Sequence, residues 1–127
     1  MAAQLNHTIA WCSDKEKSAK FLTHILGLPE PRRLYHFMVV ELDNNVSIDY
    51  FQTTEHIATQ HFAFLVSEEE FDACFGRLKE MGLEYWADPA RSRGGEINRN
   101  DGGRGVYFKD PDGHMLELIT RPYGSAE

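Results

Sequence analysis

The sequence has few cysteines, no excess of positive charge and no long apolar run, and each absence excludes a class of protein. Its 127 residues include two cysteines, Cys12 in an apolar strand and Cys74 in a helix. We expect both to be buried free thiols rather than reactive ones. The formal net charge of −7 argues against a general nucleic-acid surface. No apolar run approaches the roughly 20 residues of a membrane span, and no basic stretch followed by an apolar one opens the chain. We therefore expect a cytoplasmic protein with neither nucleic-acid nor membrane partners.

What the sequence does contain is an internal repeat. Each copy opens an apolar strand with a histidine, His7 or His61, and reaches a serine six residues later. The serine begins a Ser-x-x-Glu pattern, which predicts a capping box and a helix start at Ser13 and at Ser67. Each copy then ends at a Gly-Leu pair. The repeat predicts one domain, residues 1–127, built from two like modules at about 1–55 and 56–127, with a site where the histidines meet.

Hydrophobic periodicity predicts the same order of elements in both modules, namely a strand, a helix and then two or three antiparallel strands. In the first module we predict strands at 5–12, 36–42 and 46–51 and a helix at 14–26. In the second we predict strands at 60–66, 84–87, 105–109 and 114–120 and a helix at 68–81. Turn-forming residues at 43–45 and 110–113 join the last two strands of each module. The fold class predicted is α+β.

Two histidines and two carboxylates occupy matching places in the repeat. Asp49 and Glu117 align in the last strand of each module, and His7 and His61 open the first. Glu117 lies between two leucines in a strand that otherwise resembles core, where an unpaired carboxylate is costly. Two neutral imidazoles with one or two carboxylates suit a divalent transition ion whose open positions accept substrate oxygens, water or dioxygen. The alternative is a merely solvated strand face. The other histidines we expect to have no ligand role: His24, His36, His56 and His114.

Residues 89–105 differ from the rest of the chain because they combine five glycines with four arginines and only two acids. Loops of this length in compact domains are usually functional or mobile. One interpretation is a lid whose arginines bind an anionic group of the substrate. The other is a flexible, solvated surface loop. The candidate substrate-binding residues are Arg91, Arg93, Arg99 and Arg104.

Four segments together resemble the vicinal oxygen chelate superfamily, also called the glyoxalase/bleomycin resistance/dioxygenase family. They are LNHTI at 5–9, FLTHILGL at 21–28, QHFAFLV at 60–66 and VYFKDPDGHMLEL at 106–118. The resemblance covers nearly the whole chain, and the last segment is its most distinctive part. It implies paired βαβββ modules that form an incomplete mixed barrel around a metal. It also implies His7, His61 and Glu117 as ligands of one divalent ion, either Zn, Ni, Mn or Fe(II).

The family supports several reactions, which the sequence separates only in part. Glyoxalase I-like members carry a fourth acidic ligand, usually Glu, where this chain has the shorter Asp49. The alternatives for Asp49 are direct ligation and a role as general base beside the metal. Extradiol dioxygenases use two histidines and one glutamate around ferrous iron. Fosfomycin-modifying transferases share the ligands and have a tyrosine at the Tyr107 position, but their serine-rich potassium loop is not evident here. Bleomycin-binding members lack the ligands.

The sequence therefore favours a metal-dependent enzyme that acts on a small oxygen-bearing molecule through a lyase or isomerase step, with the metal as Lewis acid. The predicted catalytic residues are Glu117, Asp49 and Tyr107, whose phenol would donate to a developing oxyanion. A Tyr107 side chain that is only a core aromatic is the alternative. The alternative functions are a ring-cleaving Fe(II) dioxygenase and a non-catalytic drug-binding protein. The resemblance further implies a homodimer, with sites shared between chains if the modules are exchanged.

Overall fold

The computed structural model describes residues 2–126, and the chain divides into two compact units, residues 1–58 and residues 59–127. In the first unit the elements are β1 (His7–Cys12), α1 (Lys15–Leu26), β2 (Arg32–Leu34), β3 (Phe37–Glu41) and β4 (Ser47–Gln52). In the second they are β5 (His61–Leu65), α2 (Glu68–Glu80), β6 (Tyr85–Trp86), a short 3₁₀ helix (Asn100–Gly102), β7 (Gly105–Lys109) and β8 (Met115–Ile119). The predicted α+β class and strand–helix–strands order are confirmed, and β2 is a strand that periodicity did not identify.

Each unit has a four-stranded mixed sheet with the same topology. The order is β1-β4-β3-β2 in the first sheet and β5-β8-β7-β6 in the second, and neither sheet is closed into a barrel. The first and last strands of each unit are parallel, whereas the remaining pairs are antiparallel. The repeated βαβββ module predicted from the sequence is therefore present twice, and the histidine strand lies beside the carboxylate strand in both copies.

Alternation along β4 separates a core face from a more open face. In β4, Ile48 and Tyr50 are buried, whereas Ser47, Asp49 and Phe51 are only partly covered. The core face of the first sheet lies under α1, which packs on β3 and β4 and buries Ala19, Leu22 and Ile25. In the second unit, α2 buries Phe71, Cys74 and Leu78, and Phe75 of α2 contacts Tyr85 of β6 edge-on at 5.0 Å between ring centroids. Each helix thus packs its apolar face against one side of the sheet in its own unit.

The two helices begin with different caps. In α2 the predicted capping box is confirmed, since Ser67 Oγ accepts from the Glu70 amide and Glu70 accepts from the Ser67 amide. The box predicted at Ser13 is wrong, because Asp14 is the N-cap of α1 and accepts from the Lys17 amide at 3.1 Å. A carboxylate one residue further along competes successfully, since an aspartate caps as well as a serine and its charge suits the helix N-terminus.

Both cysteines are buried, and neither forms a disulfide with another described residue, as predicted. Burial raises the pKa of the Cys74 thiol, which keeps it protonated and unreactive. In the part of the chain that the structure describes, no helix combines the length and the apolar character needed to cross a bilayer.

Candidate metal centre

His7 and His61, which open the first strand of each unit, are each held in one tautomer by a hydrogen bond at Nδ1. His61 Nδ1 lies 3.0 Å from the Met115 carbonyl oxygen and therefore donates to it. His7 Nδ1 lies 2.7 Å from Asn6 Oδ1, also an acceptor. A neutral imidazole that donates through Nδ1 carries its lone pair on Nε2, so Nε2 is the nitrogen with which either histidine could bind a metal. An oxygen partner on the other ring nitrogen is the usual second contact of a metal-binding histidine.

In the second unit, Nε2 of His61 faces a buried carboxylate. Glu117 is 1% exposed, and its Oε1 lies 3.1 Å from His61 Nε2. With Nδ1 donating to Met115, the contact between Nε2 and Oε1 is satisfied either by a second ring proton, which makes an ion pair with Glu117, or by a cation that both atoms bind. Two ligand atoms about 2.1 Å from one ion and at right angles to each other lie about 3 Å apart, so this pair fits a divalent metal.

The Glu117 carboxylate has a second neighbour that the sequence did not reveal. Tyr123 lies in the C-terminal segment and donates its phenolic proton to Glu117 Oε2. Tyr107, opposite Glu117 in the β7–β8 register, lies with its own hydroxyl 3.0 Å from that of Tyr123. Desolvation, the hydrogen bond to Tyr123 and the nearby charge of Glu117 raise the pKa of Tyr107, so the phenol stays protonated. No sequence signal marked Tyr123, because it lies beyond the last strand.

The first unit has the equivalent arrangement with different side chains. Strand register places Asp49 between Ile9 and Val39, as it places Glu117 between Ala63 and Tyr107. The predicted correspondence of Asp49 and Glu117 is therefore confirmed by topology. Asp49 is only partly buried and accepts a hydrogen bond from Ser47 Oγ at 2.8 Å. Ser47 lies two residues before Asp49 on the same strand face, and no motif in the sequence marks it.

His7, Ser47 and Asp49 line a cavity of about 540 Å³ on the open face of the first sheet. The rest of its wall combines apolar side chains with the Arg32–Glu41 ion pair, whose Nε–Oε1 distance is 2.7 Å. Neither unit, over residues 2–126, contains a group of three or more His, Cys, Asp or Glu side chains placed to hold a metal. Strand register places His7 and Asp49 on one face of the first sheet, and His61 and Glu117 on one face of the second. The shared orientation of Tyr107 and Asp49 toward one cavity stays a prediction.

The arginine-rich loop is fastened to the second unit. Buried Asn98 donates to the Ala87 carbonyl at 2.9 Å and pairs with the Gly105 backbone. Gly105 has no room for a side chain, because an added Cβ would lie 2.9 Å from Asn98 Oδ1. Such contacts are typical of an ordered segment, not of a freely solvated one.

The four arginines of the loop differ in their partners. Arg104 donates to Glu68 and Asp72 of α2 at 2.7 and 2.8 Å, and its guanidinium lies 4.5 Å from the Phe71 ring centroid. These contacts tie the loop to α2, so we leave Arg104 out of the proposed substrate contacts. Arg93 pairs with Glu96 at 3.3 Å. Arg91 and Arg99 are exposed, and a substrate role for them stays a prediction.

Comparison with known proteins identifies the family. The model of the Glyoxalase/Bleomycin resistance protein/Dioxygenase superfamily matches residues 4–118. The chain is similar to Glutathione transferase FosA of Serratia marcescens, with 32% identity covering 93% of this chain and 81% of that protein. It is also similar to Metallothiol transferase FosB of Shouchella clausii (strain KSM-K16), with 30% identity covering 94% and 82%. The solved structure of Oxidase ChaP-H2 superimposes with a TM-score of 0.97 at 57% identity over the full length of both chains.

These relatives are enzymes, and the facing His61 and Glu117 side chains have the chemistry of a divalent-metal site. Two βαβββ modules, each with a histidine strand beside a carboxylate strand, are the architecture that the resemblance implied. The chain is a metal-dependent enzyme, and it belongs to the Glyoxalase/Bleomycin resistance protein/Dioxygenase superfamily.

Proposed function

We propose that this protein is an iron(II)-dependent oxidase that acts on a small oxygen-bearing organic molecule, with His7, His61 and Glu117 as the metal ligands. The observation that carries the proposal is the likeness to Oxidase ChaP-H2, which extends over both chains in full at 57% identity. Two histidines and one carboxylate form the facial ligand set that non-heme ferrous oxygenases use. We rank the oxidase above the lyase or isomerase step that the sequence pattern favours, because the similar lactoylglutathione lyase of Agrobacterium tumefaciens is only 16% identical to this chain.

When bound, ferrous iron would supply open positions for dioxygen and for a substrate oxygen. The side chains of this protein supply the rest. His61 is oriented by the Met115 carbonyl, so its ring cannot rotate away from Glu117 without losing that bond. Asp49, held by Ser47, is the candidate base for a substrate hydroxyl proton, since an ionised carboxylate within hydrogen-bond reach can accept it. The half-open cavity around His7 and Asp49 would hold the substrate.

A second candidate is a fosfomycin-modifying transferase, favoured by 32% identity to the FosA protein across most of this chain. Against it, residues 89–105 contain a single serine, Ser92, rather than a serine-rich loop. That serine donates to Asp88, which also accepts the Ser92 and Arg93 amides. Ser92 is thus engaged in a local turn.

The test separates the candidate reactions on one preparation. Protein purified without chelator is loaded with Fe(II) under argon, and oxygen uptake is followed with a panel of catechols and hydroquinones. The same preparation is assayed for glutathione addition to fosfomycin and for isomerisation of the hemithioacetal of methylglyoxal and glutathione. We expect oxygen uptake that requires iron, is lost in His61→Ala and is retained in His56→Ala, the exposed matched control. Turnover in either glutathione assay without oxygen uptake would replace the oxidase proposal.

A further inference from the structure

The Glu117 carboxylate is constrained at both oxygens by different partners. Oε1 faces His61 Nε2 at 3.1 Å, whereas Oε2 accepts the hydroxyl proton of Tyr123. Glu117 itself is 1% exposed, so water has little access to compete for either oxygen. Oε1 therefore lies beside the proposed ligating nitrogen of His61, whereas Oε2 is occupied by a hydrogen bond from Tyr123.

The hydrogen bonds of these three side chains are all donated in one direction. Tyr123 has a single hydroxyl proton and gives it to Glu117 Oε2, so its oxygen can only accept from Tyr107, 3.0 Å away. The order is therefore Tyr107 to Tyr123 to Glu117. A hydroxyl that accepts one hydrogen bond becomes a better donor in the next, which strengthens its hold on the carboxylate.

We propose that Tyr123 is a positioning residue for the metal centre: it occupies Glu117 Oε2, so that the carboxylate offers only Oε1 to the ion beside His61. This inference rests on the proposed ligand set. Without the Tyr123 proton, both oxygens of Glu117 would be available to the ion, or the side chain would turn. Either change alters the number of positions left open for substrate and dioxygen.

The segment that carries Tyr123 is fastened well enough to hold the phenol in place. Thr120 Oγ1 accepts the Arg104 amide at 2.8 Å, and the Thr120 amide donates to the Arg104 carbonyl at 3.0 Å. Beyond it, Arg121 donates to the Ser125 carbonyl at 3.0 Å. The Tyr123 side chain is 63% exposed, so burial of its ring does not explain its position. The hydrogen bonds of its hydroxyl with Glu117 and Tyr107 account for the position of the side chain.

The experiment uses the full-length metal-free protein and Co(II) as the probe. Co(II) affinity is measured by calorimetry, and the visible absorption of the bound ion reports its coordination number and geometry. We expect Tyr123→Phe to weaken Co(II) binding by about 10- to 100-fold, the range for outer-shell partners of metal ligands, and to change the spectrum. Tyr107→Phe, which removes only the more distant proton, should have a smaller effect in the same direction.

Tyr85→Phe is the matched control, because it removes a tyrosine hydroxyl in the same unit while its ring keeps its contact with Phe75. Wild-type affinity and spectrum in Tyr123→Phe would overturn the inference while leaving the ligand set in place. So would an equal loss in Tyr85→Phe, or a fall in the melting temperature of metal-free Tyr123→Phe that accounts for the weaker binding. If wild-type protein does not bind Co(II), the ligand set itself fails, and the proposed function with it.

Discussion

The two units share one backbone topology, but the side chains around the histidine and the carboxylate of each sheet differ. In the second unit the carboxylate belongs to Glu117, which is buried and contacts a histidine and a tyrosine. In the first unit the equivalent Asp49 is partly exposed. Its side chain accepts a hydrogen bond from the nearby Ser47 hydroxyl. A side chain shorter by one methylene, with a serine instead of two tyrosines around it, suits proton transfer better than ligation. We therefore propose that Glu117 binds the metal and that Asp49 is left for the substrate.

The sharpest way to break this comparison is to neutralise each carboxylate in turn. Glu117→Gln keeps the size of the side chain but removes the charge that offsets the metal, so we expect metal affinity to fall by at least about 100-fold, beyond the effect of an outer-shell partner. Asp49→Asn should leave metal content near that of wild type and lower turnover instead. Metal per protein after dialysis, measured by atomic emission, checks both. Equal metal loss in the two variants would make Asp49 a ligand as well.

Whether the two half-sites combine within one chain or between two is tested by mixing. We propose that the protein forms a homodimer with exchanged modules, so that His7 of one copy joins Glu117 of the other. Mixing His7→Ala with Glu117→Ala protein after partial unfolding and refolding should then restore about a quarter of the wild-type metal sites, because half of randomly formed two-fold dimers are mixed and each contains one intact site. Mixed dimers, verified by differently tagged subunits, that restore no site would place each site within a single chain.

A smaller difference between the units concerns how the loop before β7 is anchored. Arg104→Met removes two ion pairs and a cation–π contact, and we expect the free energy of unfolding to fall by about 1–2 kcal/mol. The Thr120 and Arg104 hydrogen bonds lower the pKa of Glu68 from its ordinary 4.5. A lowered carboxyl pKa gives stability that is present above pH 4.5 and is lost as the pH falls through the folded-state value.

Urea unfolding monitored between pH 3 and pH 7 measures both parts of this prediction. The acid side of the stability profile should be flatter in Arg104→Met than in wild type. Arg93→Met is the matched control, because its ion pair with Glu96 is exposed on both sides and should contribute little. The assigned role of Arg104 would be contradicted if Arg93→Met lost as much stability as Arg104→Met. It would also be contradicted if the acid side of the stability profile of Arg104→Met matched that of wild type.

The smallest predicted effects compare the helix caps. Asp14→Ala and Ser67→Ala each remove the acceptor of an N-terminal amide, and each should destabilise the protein by about 1 kcal/mol. Ser13→Ala should cost less than Asp14→Ala, since the α1 cap is Asp14. Thermal unfolding of the three variants decides this. A larger effect at Ser13 would restore the capping box that the sequence pattern predicts there.

Much of the fold could be predicted because its determinants are local. Apolar runs and loose alternation located seven of the eight strands that the structure describes. The turn residues at 43–45 and 110–113 separated the last two strands of each unit. The three-residue β2 was missed, since all three of its residues are exposed and it has no alternation to detect. The Ser13 prediction failed because two acceptors stand side by side and the motif alone cannot choose between them.

The candidate site was predictable only where the repeat gave it a position. The alignment of the two modules placed His7, His61, Asp49 and Glu117 on equivalent strands, and the strand period put Glu117 on the face opposite Leu116 and Leu118. Those inferences need only the sequence, because period and register follow from backbone geometry. Burial of Glu117, in contrast, depends on everything packed around it.

The sequence by itself therefore determined the module, its duplication and the residues that open or end its strands. Only the tertiary structure decided what those residues touch. Tyr123 contacts Glu117 although it belongs to no strand or helix, and Arg104 pairs with α2 rather than remaining with the loop arginines around it. Such contacts join segments distant in the chain or outside regular elements, so no local period records them. Their stability comes from hydrogen bonds and ion pairs that exist only after the chain has folded.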